Sequence, residues 1–144
     1  MAVKAVPEGY HTVTPSLTAS NAAGLIDFMK AAFGAQELMR MPTPDGKIAH
    51  AEVKIGDSII MLDDPMQFSA APVSLFLYVS DVDAAYRNAV KAGATSLQEP
   101  ANQFWGDRMA QVKDGCGNRW MIATHIEDVP PNEMAKRMEA AMKA

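Results

Sequence analysis

Cysteine is nearly absent from this sequence: Cys116 is the single one in 144 residues. An internal disulfide framework is therefore excluded, and such sparing use of thiols fits a reducing cytosol. An excess of basic charge is missing too. Thirteen Lys and Arg stand against seventeen Asp and Glu, for a net charge of −4. The basic residues form no stripe, which argues against nucleic acid and anionic membranes as partners. No apolar run approaches the roughly 18 residues of a membrane-spanning helix. The opening MAVKAVPEGYHTV lacks the apolar centre of a signal peptide. There is also no GxGxxG, no Walker loop, no GxSxG and no CxxC pair, so the common nucleotide, hydrolase and redox signatures do not apply. What is left is a cytoplasmic chain of single-domain length, 49% hydrophobic and unusually rich in methionine, with eleven.

The chain repeats itself. HAEVKIGDSIIML at residues 50–62 is echoed 59 residues later by MAQVKDGCGNRWMI from Met109, so that Ala51-Glu52-Val53-Lys54 matches Ala110-Gln111-Val112-Lys113. Upstream, Gly34-Ala35 matches Gly93-Ala94 at the same offset, and one extra residue in the second turn brings Ile60-Met61 onto Trp120-Met121. Words in one order at a nearly constant offset indicate two copies of one unit, about 10–65 and about 72–128.

Each copy has the same grammar. A short alternating segment (14–19, then 74–79) precedes a helix. The first helix carries its apolar stripe on Ala22, Leu25, Ile26, Met29, Ala32 and Phe33 and closes at Gly34. The second starts after Ser80 and Asp81, carries Val82, Ala85, Tyr86, Ala89 and Val90, and closes at Gly93. Three strand segments follow in each half: 36–42, 47–55 and 58–63, then 95–99, 107–113 and 118–125. Each half reads β-α-β-β-β. After Pro130-Pro131, residues 132–143 predict a further amphipathic helix, with Met134, Met138, Ala141 and Met142 needing an apolar partner surface. A four-stranded sheet with one helix leaves a face uncovered, and two such sheets side by side would line a cleft.

A twice-repeated β-α-β-β-β unit resembles the vicinal oxygen chelate superfamily of glyoxalase I, extradiol dioxygenases and bleomycin-resistance proteins. The words FGAQELMRM (33–41), GKIAHAEVKIGDSIIMLDD (46–64), LYVSDVDAAYRNAVKAGA (77–94), FWGDR (104–108) and WMIATHIED (120–128) are similar to its PhnB-like branch. The resemblance implies an α+β single domain over 1–144: two βαβββ repeats forming a curved, half-open barrel, plus the C-terminal helix. It also implies a homodimer. The metal-dependent members hold a divalent ion with side chains from the first and last strands of each repeat. Carried onto this chain, those positions hold Thr14, Met61, Ser74 and Met121, none of them an imidazole or carboxylate. The superfamily metal site is therefore expected to be missing, no cofactor is expected, and a divalent ion is disfavoured.

Strand parity then sets the cleft. Leu17, Ala19, Ile60, Leu62, Leu75, Leu77, Val79, Trp120 and Ile122 form the apolar side and belong under the helices. The opposite side offers His50, Glu52, Met61, Phe76, Tyr78 and Met121 as ligand contacts, joined by Trp105 and Arg108 of the FWGDR loop at the cleft mouth. Methionine and aromatic surface near a carboxylate suits a small, partly apolar molecule, flat or cationic. The leading expectation is a protein that binds such a ligand. The alternative is a lyase or isomerase of glyoxalase type, with His50 and Glu52 as acid–base pair or with a relocated metal that includes His125. A third is an interaction subunit whose cleft binds nothing.

Overall fold

The computed structural model describes residues 2–144. The first repeat comprises β1 (Ser16–Thr18), α1 (Ala22–Phe33), β2 (Gln36–Pro42), β3 (Ile48–Ile55) and β4 (Ser58–Asp63). The second comprises β5 (Ser74–Tyr78), α2 (Val82–Lys91), β6 (Thr95–Asn102), β7 (Asp107–Lys113) and β8 (Arg119–His125), and α3 (Pro131–Lys143) ends the chain. The repeats build two four-stranded sheets of matching order, β1-β4-β3-β2 and β5-β8-β7-β6. In each, the first strand runs parallel to the last and the other pairs are antiparallel. Met61 pairs with Ser16, and Met121 with Phe76, so the 60-residue offset read from the sequence is the offset of the strand register.

Local chemistry explains where the helices begin and end. Asn21 caps α1 by accepting from the Gly24 N–H, and Gly34 ends it at φ 67°, a left-handed conformation that a side chain would resist. Asp81 caps α2 through the Ala84 N–H. That helix closes at Ala92, one residue before the expected glycine, and Gly93 donates its N–H back to the Val90 carbonyl. β6 runs three residues further than the pattern suggested, through Pro100. Proline lacks a donor for the ladder, and β6 tolerates it as an edge strand with register irregularities on either side of Gln98.

The apolar side of the parity argument is the core. Each helix covers one face of its own sheet, and α1 and α2 also pack on each other, so both repeats share a single cluster of buried side chains. Trp120 is wholly buried at its centre, with the Phe33 and Phe28 rings of α1 at 5.0 and 6.2 Å. A buried indole needs an acceptor for its N–H. Asp114 in the β7–β8 turn supplies it at 2.7 Å, and also accepts from the N–H groups of Cys116 and Asn118 and from the Asn118 amide. Cys116 is thus part of a turn whose polar groups serve the core. No strand of one sheet is hydrogen-bonded to a strand of the other, so the sheets do not close into a barrel.

The terminal helix α3 buries no residue. Arg137 ties it down, donating to both Glu127 oxygens at 2.8 and 2.9 Å and to the Phe104 carbonyl at 3.2 Å. Met134 is half-buried while Met138 and Met142 remain exposed, so the far end of the methionine stripe is left uncovered among the described residues of this chain.

Gly106 marks the tightest backbone approach. Its φ is 101°, and a Cβ there would meet the Glu127 carbonyl oxygen at 2.1 Å. Gly46 has a similar φ of 85° with open space around it. Gly46→Ala is expected to cost about 1–2 kcal/mol of stability, from the left-handed backbone alone. Gly106→Ala should cost clearly more, because backbone must also move. Urea unfolding of both variants checks the order, and equal losses would contradict it.

Candidate functional site

The faces not covered by helices carry alternating polar and methionine positions. On the first sheet, β3 presents His50, Glu52 and Lys54, and register places Met41 beside His50, with Met39 and Met61 beside Glu52. On the second, β7 presents Asp107, Met109 and Gln111, next to Met121, Ala123 and His125 of β8. Phe76 and Tyr78 of β5 lie one strand further on.

Each face is organised by one buried carboxylate. Glu52, 6% exposed, accepts from the Tyr10 hydroxyl and lies 2.7 Å from His50 Nε2. Tyr10 belongs to the segment before β1, which crosses this face: His11 Nε2 is 2.9 Å from the Asp57 carbonyl oxygen, and Gly9 approaches the Ile59 side chain. That covering explains why Ile59 is buried although it lies on the helix-free side. The Tyr10 hydrogen bond, seconded by His50, holds the Glu52 carboxyl below its usual range. The same bond to an anion raises the Tyr10 hydroxyl above its own.

Asp107 plays this part on the second sheet and is 2% exposed. Its Oδ2 accepts from the Tyr78 hydroxyl at 2.9 Å and from Trp105 Nε1 at 3.0 Å, and its Oδ1 lies 2.9 Å from His125 Nδ1. The other nitrogen of His125 faces Asp128 Oδ1 at 2.7 Å. Asp107 first, and then Asp128, raise His125 above the ordinary imidazole value. Hydrogen bonding to Asp107 raises the Tyr78 hydroxyl. Tyr78 is nonetheless 65% exposed, its ring 5.1 Å from that of the half-open Phe76, while Phe104 meets Trp105 edge to face at 5.1 Å.

The residues expected to form one ligand set therefore divide in two. His50, Glu52 and Met61 share the first sheet, and Phe76, Tyr78, Trp105 and Met121 gather on the second. No hydrogen bond among the described residues joins the two clusters. His125, considered beside His50 and Glu52 as a relocated metal ligand, engages Asp107 and Asp128 instead. Arg108 goes the other way altogether. It pairs across β8 with Thr124, on the helix side, and donates through Nε and Nη2 to Asp83 of α2 and through Nη1 to Asn102. A bidentate ion pair with a helix side chain holds it off the ligand faces, which corrects the expectation for this residue. Sequence reasoning missed Tyr10, a lone aromatic in a polar segment with no periodicity to mark it. It also passed over Asp107, since nothing local shows that Tyr78 and His125 converge on it.

A cavity of about 840 Å³ opens along the free edge of β5, lined on one side by Phe76 and Tyr78 and on the other by Ile59, His11 and Thr14. The positions that would carry the superfamily metal fit a divalent ion poorly. The Thr14 hydroxyl donates to the His11 carbonyl, Ser74 lies opposite Arg119 and accepts from its Nε, and Met61 and Met121 offer thioethers. Among the described residues, no group of three or more His, Cys, Asp and Glu is arranged to hold a metal. No helix among them is long and apolar enough to cross a membrane.

Two βαβββ repeats, each with a helix-free face lined for contact, define the glyoxalase-like class. Residues 10–122 match the Glyoxalase/Bleomycin resistance protein/Dioxygenase superfamily, and the chain belongs to it. It is 36% identical over 140 residues to an uncharacterized protein of Mycobacterium bovis, covering 89% of this chain and 92% of that one. Among solved structures, TioX from Micromonospora sp. ML1 superposes with a TM-score of 0.68 at 28% identity, covering 81% of this chain and 99% of TioX. TnmS3 from Streptomyces sp. CB03234, an antibiotic binding protein, gives 0.61 at 26% identity, over 87% and 98% of the two chains.

The imidazole of His125 makes a direct test of the second cluster. Its folded pKa lies above the unfolded value of about 6.5. The pair therefore contributes stability that is complete below about 6.5 and is lost as pH rises through the raised folded value. NMR titration should place the His125 midpoint above 6.5, and Asp128→Asn should lower it. A midpoint at or below 6.5 in the unaltered protein would contradict the geometry.

Proposed function

We propose that this protein binds a small, partly apolar organic molecule, flat or cationic, without the superfamily's divalent ion, and that it does so in the cytoplasm as a homodimer. The observation that carries this reading is the pairing of open aromatic and methionine surface with a buried carboxylate on each helix-free face. Exposed rings are costly to leave in water, and a ligand that covers them recovers that loss. The two faces carry complementary parts: methionines with His50 and Glu52 on one, and rings with Asp107 on the other. A second copy, setting the first sheet of one chain against the second sheet of its partner, would gather all of them around one ligand. Antibiotic binding by TnmS3, at 26% identity, supports the ligand class.

His50 and Glu52 favour a second reading, a lyase or isomerase of glyoxalase type. The 2.7 Å contact orients the imidazole, and the depressed carboxyl keeps Glu52 ionised as its partner, so His50 would be the group that moves the proton.

Three measurements separate the readings. Light scattering should give twice the 15.5 kDa chain mass. Mass spectrometry of protein purified without chelator should find no stoichiometric divalent ion. In a thermal-shift screen of aromatic and cationic compounds, a true ligand at a hundred times its Kd should stabilise by about 2.7 kcal/mol, a rise of several degrees. About one ion per chain, lost in His50→Ala together with glyoxalase-type turnover, would establish the enzyme instead. No stabilising compound, no ion and no turnover would leave an interaction subunit.

A further inference from the structure

Asp107 is the buried carboxylate that the fold itself does not use. The loop around it is closed by backbone alone: Gln103 N–H donates to the Asp107 carbonyl at 2.7 Å, and Gly106 N–H to the Gln103 carbonyl at 3.2 Å. Gly106 in turn accepts from the N–H groups of Ile126 and Glu127, at 2.9 and 3.1 Å. The side chain takes no part in this. Burying a carboxylate is unfavourable unless its oxygens are satisfied, and an apolar residue would fill the same place at less cost. Every hydrogen bond of the Asp107 side chain goes instead to the three groups that border the helix-free face: Tyr78, Trp105 and His125.

We infer that Asp107 is the positioning residue of the ligand face on the second sheet, holding the Tyr78 and Trp105 rings in one fixed setting while His125 braces the carboxylate from its other oxygen. Both rings converge on a single atom, Oδ2, at 2.9 and 3.0 Å, so the indole cannot turn over and the phenol cannot swing away without breaking a hydrogen bond to the carboxylate. Phe76 against Tyr78 and Phe104 against Trp105 extend the surface on either side. The consequence is preorganisation. A flat ring system that lands on this face meets aromatic walls whose rotamers are already chosen, so less conformational freedom is lost on binding. The ligand class rests on the function proposed above; the positioning by Asp107 does not.

The test uses the intact protein and the fluorescence of Trp105, taken as the difference from Trp105→Phe because Trp120 is fully buried and contributes a constant background. Asp107→Asn keeps shape and volume but removes the charge and one of the two acceptor oxygens. His125→Ala alters a half-exposed residue that has no hydrogen bond to Trp105, so any response of the indole must pass through Asp107. Both variants should raise acrylamide quenching of Trp105 about twofold or more. Both should weaken binding of proflavine, a planar aromatic cation, by about tenfold, the loss of one charge-assisted hydrogen bond's worth of order. Circular dichroism melts accompany each measurement. Unchanged quenching in both variants overturns the inference, and so does an Asp107→Asn chain that fails to fold beside a His125→Ala chain with unchanged quenching. If the unaltered protein does not bind proflavine at all, the flat-cation reading fails while the quenching arm still decides the role of Asp107.

Discussion

A single helix can cover only one face of a four-stranded sheet, and the rest of this molecule follows from that shortage. Each repeat encodes four strands and one helix, so each sheet has a dry face under its helix and a face with no helix to hide it. The dry faces are resolved by fusing the repeats into one core around Trp120, where α1, α2 and both sheets meet. The other faces have no helix over them, and on the first sheet the segment around Tyr10 crosses that side. They carry the buried carboxylates Glu52 and Asp107, with His50 and His125 beside them and the exposed rings of Phe76 and Tyr78.

The two open faces solve the same problem with different residues. On the first, Glu52 of β3 takes a phenol from Tyr10 and an imidazole from His50. On the second, Asp107 of β7 takes a phenol from Tyr78 and an imidazole from His125, and adds the indole of Trp105. β3 and β7 are corresponding strands, yet the sequence echo of Glu52 is Gln111 rather than Asp107. The likeness is therefore one of chemistry, reached through different positions. On each face a buried carboxylate is held by a phenol and an imidazole beneath a partly apolar surface.

How much of this was legible in the chain depended on the range of the interaction. The helix-side set from Leu17 to Ile122 was readable because β periodicity is local and its period of two leaves only one apolar side. The helix ends at Gly34 and Asp81 were readable for the same reason, since a cap acts over three or four residues. The extension of β6 past Pro100 was not, because only its place at the sheet edge makes a missing N–H harmless. Arg108 looked like a ligand contact beside Trp105, but its parity sends it under β8 toward Asp83, a partner 25 positions earlier.

The sequence by itself determined the repeat, the β-α-β-β-β order of each half and the core side of β1, β4, β5 and β8, all of which rest on residue type and short spacing. Tertiary structure alone decided that Tyr10 reaches Glu52 over 42 positions, that Tyr78, Trp105 and His125 converge on Asp107, and that the expected ligand set divides between two sheets. Those contacts join segments whose separation along the chain carries no periodic signal. They exist only because the sheets, once folded, bring the ends of distant strands within a hydrogen bond of one another.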